Sequence, residues 1–136
     1  MNKLTLAIML LFTTAFAAAQ PRLPENYFWK KLSNGLEVVV IENHKVPLAT
    51  IEIAVRNGAY TEGAEYSGLS HLFEHMFFKA NRDYPDQEKF LNRTQELGAI
   101  WNGTTGDERV NYFFTFDKDS LSAGLHFMNS AIRFPI

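Results

Sequence analysis

The chain has 136 residues, 46% of them hydrophobic, with a formal net charge of −2 and no cysteine. That length and apolar content suit one folded domain with its own core. The charge balance gives no polyanion-binding signal, so nucleic acid is not an expected partner. The missing thiols exclude disulfides, thiolate metal sites and a cysteine nucleophile.

The N-terminal stretch MNKLTLAIMLLFTTAFAAAQ begins with a charge at Lys3 and continues as an apolar run from Leu4 to Phe12. Ala17, Ala18 and Ala19 then fit the small-residue rule for signal peptidase. The run is too short to span a bilayer comfortably, and no stop-transfer charges follow it. Residues 1–19 therefore read as a signal peptide. The mature chain from residue 20 is expected to be exported, periplasmic or secreted, with no stable membrane anchor after cleavage.

Past the Pro-containing lead PRLPENY, three antiparallel strands are predicted, at about 27–33, 36–42 and 48–56. Asn34-Gly35 between the first two is a tight-hairpin signal that calls for positive φ at both residues. Ile51, Ile53 and Val55 alternate with Glu52, Ala54 and Arg56, the period of a half-buried strand. Pro47 falls in the connection, where its missing donor is harmless. Gly58, Gly63 and Gly68 punctuate a loop, and Ser67 is the expected N-cap of a helix over about 68–80. A second helix over about 86–97 ends at Gly98, and strands follow near 99–105 and 110–116. Asp117 or Asp119 caps a third helix, in which Leu121, Leu125, Met128 and Ile132 keep helical spacing up to the stop at Pro135. The order predicts an α+β fold, an antiparallel sheet with helices packed on one face.

The first helix carries the chemistry. In SHLFEHM, His71 and His75 are four residues apart, so their imidazoles share one helix face and can meet a single zinc ion. Glu74 projects from a neighbouring sector, placed to take a proton from a water activated by the metal. The bland reading stands beside this one. Leu69, Leu72, Phe73, Met76 and Phe77 make the helix strongly apolar, and an ordinary buried helix can carry two histidines. An unpartnered buried glutamate would be costly, which favours a site. A structural zinc site is disfavoured, since closed sites want four ligands and usually cysteine.

His-x-x-Glu-His is the inverted form of the commoner zinc-protease pattern. Together with LSNGLEVVVIENHKVPLATIEIAVRNGAYTEGAEYSGLSHLFEHMFFKAN and the later LGAIWNGTTGDERVNYFF, it resembles the start of the pitrilysin/insulinase family of zinc peptidases. The resemblance covers nearly all of the mature chain. It implies a zinc-dependent endopeptidase in which His71 and His75 bind Zn2+ and Glu74 is the general base. It also implies that Asn102, in a segment where the family has Asn-Ala-x-Thr, touches a peptide added to the sheet as an extra strand. Here Gly103 replaces the usual alanine, and Lys79-Ala80-Asn81 replaces a Gly-Thr pair.

A catalytic zinc usually has three protein ligands. By the resemblance the third is a glutamate on a later helix, beyond Ile136, and a related partner domain follows it. The chain (residues 20–136 after cleavage) is thus expected to be the N-terminal portion of a pitrilysin-like domain, inactive alone. The alternative is a non-catalytic or partner-completed subunit that binds peptides. The expected partners are a peptide or unfolded protein substrate and a second pitrilysin-like half or subunit.

Overall fold

A computed structural model describes residues 23–136. The expected leader at 1–19 lies outside the described residues. Among the described residues no helix is long and apolar enough to cross a membrane. The chain divides into two compact units, up to Lys45 and from Val46 onward.

In the first unit, β1 (Tyr27–Lys31) and β2 (Glu37–Ile41) form an antiparallel hairpin with Tyr27 opposite Ile41 and Lys31 opposite Glu37. Its turn differs from the tight two-residue form expected of Asn34-Gly35. Gly35 alone has positive φ, at 90°, and among the described residues no non-glycine does. Gly35 N–H donates to Leu32 O at 3.0 Å and Leu32 N–H to Leu36 O at 2.8 Å. This is a three-residue loop ending in a left-handed glycine, which spares Asn34 the strained conformation. Asn34 instead accepts the Leu36 N–H on Oδ1 at 3.1 Å.

The second unit holds β3 (Leu48–Val55), α1 (Leu69–Phe77), α2 (Gln87–Glu96), β4 (Ile100–Thr105), β5 (Val110–Asp117) and α3 (Leu121–Arg133). Its sheet has the order β3-β5-β4, all antiparallel. The expectation of three successive antiparallel strands is thus corrected: β3 pairs with β5. Strand β5 runs eight residues and pairs along both edges, with β3 over its full length and with β4 over Val110–Thr115, so β3 has its partner there and not in β2.

Val110, Tyr112, Phe114 and Phe116 of β5 are each at most 2% exposed and form one wall of the core. Their register partners Val55, Ile53, Ile51 and Ala49 on β3 share that face, as do Trp101, Gly103 and Thr105 on β4. The helices pack onto the same face, as the α+β reading requires. Phe77 of α1 stacks on Tyr112 with ring centroids 4.1 Å apart, and Phe127 of α3 meets Phe114 edge-on at 5.3 Å. Phe90 of α2 closes the cluster against Phe127 at 4.9 Å. Such aromatic pairs add about 0.5–1.5 kcal/mol each beyond the area they bury.

Helix entry is managed differently from expectation in two places. Asp86 caps α2, its Oδ1 accepting Lys89 N–H at 2.8 Å. Asp117 accepts Asp119 N–H at 2.9 Å, but it caps a short 3-10 turn over Lys118–Ser120 that leads into α3. Ser67 does not cap α1. The N-cap is Gly68, which has no side chain to offer.

Candidate metal centre

The task of capping α1 falls to Glu62. Its Oε2 accepts Gly68 N–H at 2.7 Å and its Oε1 accepts Ser70 N–H at 2.6 Å. A carboxylate at this end also meets the positive pole of the helix. Hydrogen bonds from the Ser70 side chain first, then from the Ser70 and Gly68 amides, hold the Glu62 carboxyl below its ordinary value of 4.5. The Ser70 hydroxyl in turn accepts Asn57 Nδ2 at 2.9 Å. Ahead of it, Gly58 presses against the β4–β5 loop so closely that a Cβ there would lie 2.3 Å from Gly106 O. Ala59 and Tyr60 donate their amides to Gly106 O and Asp107 O at 3.2 and 2.9 Å. The loop thus pins the start of α1 to the end of β4.

With its start fixed, α1 turns Ser70, Glu74 and Phe77 toward the sheet, the i, i+4, i+7 stripe of a helix face. His71 and His75 lie on the adjoining exposed face. Of the five apolar residues expected to bury this helix, only Phe77 is buried. Leu69, Leu72, Phe73 and Met76 are each between 39% and 58% exposed. The sheet covers only one side of α1 among the described residues, which is why the apolar content overstated the burial.

The two imidazoles face each other with Nε2 atoms 3.1 Å apart and ring centroids separated by 4.7 Å. Two nitrogens each ~2.0–2.1 Å from one zinc ion would stand about 3.3 Å apart at a tetrahedral angle. The separation is close to that of two nitrogens sharing one ion, and without an ion it is a hydrogen bond between the two rings. Among the described residues no third histidine, aspartate or glutamate joins them to complete a ligand set.

Glu74 is half-buried between the histidine face and β4. Its Oε2 accepts the Thr105 hydroxyl at 2.7 Å. Its side chain runs across Gly103, where a Cβ would meet Glu74 Cγ at 2.9 Å and Phe78 Cε2 at 3.0 Å. Tyr112, opposite Gly103 in the ladder, is buried beneath. Burial first, and then the Glu74 charge, push the Tyr112 phenol up to about 12, so it stays protonated.

Asn102 lies elsewhere. It is opposite Phe113, on the sheet face away from the helices, and is exposed. Its Oδ1 accepts Gly103 N–H at 2.9 Å along β4, which is the edge strand of this unit's sheet. The structure thus brings His71, Glu74 and His75 together and places Asn102 at the neighbouring edge. Sequence reasoning missed Glu62 and the Thr105–Glu74 bond. An acid a few residues ahead of a helix whose N-cap is glycine is the one available signal for the former.

The sequence profile of the insulinase family, peptidase family M16, matches residues 37–136. The chain is 31% identical over 110 residues to an insulin-degrading enzyme homolog of Dictyostelium discoideum, covering 81% of this chain and 11% of that protein. It is 27% identical over 105 residues to the insulin-degrading enzyme of Homo sapiens, covering 77% and 10%. The fold matches a crystal structure of a protease from Helicobacter pylori with a TM-score of 0.76 at 23% identity, over 84% of this chain and 27% of that one. The chain spans about a tenth of the length of the curated relatives it matches. On the profile match and these relatives together, the chain belongs to the insulinase family of peptidases.

Proposed function

We propose that this chain carries the metal-binding half of the active site of a zinc-dependent endopeptidase, with peptides or small unfolded proteins as substrates. The observation that carries this reading is the convergence of the His71 and His75 Nε2 atoms to 3.1 Å beside a half-buried Glu74. His71 and His75 would hold the zinc, and imidazole with carboxylate ligation suits that ion. When bound, zinc supplies Lewis acidity toward the scissile carbonyl and acidifies a water molecule. Glu74 is the general base that removes the proton from the attacking water and passes it to the leaving amine. Family membership and the exposed β4 edge support an extended peptide pairing along that strand, with Asn102 contacting its main chain.

The described residues offer only the histidine pair, and the matched segment is 11% of the Dictyostelium relative; both support reading the third ligand as a residue outside these 136. The same incomplete set favours a second reading, a subunit completed by a partner chain. The leader-like residues 1–19 support export to the periplasm or medium.

The test uses the full-length protein and a fluorogenic peptide. Hydrolysis should disappear with a chelator and return with zinc. Turnover that survives removal of all metal would contradict the proposal.

A further inference from the structure

A glutamate on a helix surface has three rotatable side-chain bonds, and fixing them costs up to about 2 kcal/mol of conformational entropy. Glu74 has been fixed in two ways that a proton-accepting role does not by itself require. Thr105, the last residue of β4, is half-buried on the helix-facing side of the sheet and gives its hydroxyl proton to Glu74 Oε2 at 2.7 Å. A hydroxyl bound to a carboxylate is among the stronger uncharged-to-charged hydrogen bonds. Two residues earlier, Gly103 leaves open the space that Glu74 Cγ and Cδ occupy, which a Cβ would enter at 2.9 and 3.2 Å. Strand β4 therefore supplies both a seat and a clasp.

We propose that Thr105 is a positioning residue for Glu74. This rests on the reading of Glu74 as general base. The Thr105 hydroxyl takes one lone pair of Oε2 and so fixes where the remaining lone pairs of the carboxylate point. A misplacement of about 1 Å at a reacting group can cost on the order of a hundredfold in rate.

The competing role is a staple that merely ties α1 to β4, and the two separate cleanly. In the full-length protein, Thr105→Val keeps the shape and removes the hydroxyl, and Thr105→Ser keeps the hydroxyl. Thr105→Val should lower kcat by roughly 10- to 100-fold with KM and bound zinc unchanged, and Thr105→Ser should restore most of the loss. If valine prevents folding, Thr105→Ala against Thr105→Ser makes the same comparison. A lowered melting temperature with wild-type kcat, or a loss that serine does not repair, overturns the proposal. A crystal structure of the metal-free valine variant gives a second readout. Glu74 should leave its seat, and a carboxylate found in the same place overturns the idea whatever the activity. Absence of zinc-dependent turnover in the wild type would instead defeat the peptidase reading, leaving the crystal structure to judge the clasp.

Discussion

The carboxylate of Glu62 accepts the backbone N–H of Ser70 at 2.6 Å and so fixes the start of the helix on which both histidines ride. Glu62, in the loop ahead of that helix, thus sets where its first turn lies, and His71 follows directly.

Its protonation should therefore be visible in stability. The folded state holds the Glu62 carboxyl below 4.5, through Ser70 first and then Gly68. Between the folded and unfolded pKa values, the unfolded chain binds more protons. The stabilisation is accordingly complete above about 4.5 and lost as pH falls through the folded value. The melting temperature of Glu62→Gln should lie below wild type at neutral pH, and the two should converge as pH drops below 4.5. Parallel curves across that range would show that Glu62 does not act through its charge.

Gly58 lies against the backbone of the β4–β5 loop, with no room for a side chain. A Cβ at 2.3 Å from Gly106 O and 2.6 Å from Asp107 O meets backbone that cannot swing aside. Gly58→Ala should destabilise the protein by about 1–3 kcal/mol, as overpacking does. Chemical denaturation measures it. A stability equal to wild type would mean that the loop is free to retreat.

Much of this was legible beforehand, and the failures have specific causes. The period-two alternation in β3 and the apolar spacing in α3 mark strand and helix because a sheet or a neighbour must cover one face of each. Pairing was another matter. Nothing local in Ile51 or Ile53 says that the partner is Phe114 or Tyr112, some 60 residues away, rather than the preceding strand. The histidine pair was readable because four-residue spacing fixes geometry within one helix. Thr105 and Glu74 are 31 residues apart, and only the packing of α1 on β4 makes them neighbours. Ser67 looked like a cap on residue type alone, but the acceptor came from an earlier turn of the loop.

Asn102 tests how substrate reaches the site. Its Oδ1 covers Gly103 N–H at the open edge of β4. A peptide adding to that edge displaces this contact, and the freed side chain can then bind the peptide main chain. Asn102→Ala should raise KM roughly fivefold, the worth of about one net hydrogen bond, with bound zinc unaltered. An unchanged or lower KM would reduce Asn102 to a cover for the strand edge.

The central claim is that Glu74 is the base beside a zinc held by His71 and His75. The most direct measurement is peptide hydrolysis and zinc content of the full-length Glu74→Gln protein, side by side. The glutamine keeps the size of the side chain and can still accept from Thr105, but it cannot take a proton at neutral pH. Turnover should fall by at least about a hundredfold while zinc per protein stays at the wild-type level. Hydrolysis at the wild-type rate with zinc in place would contradict the account.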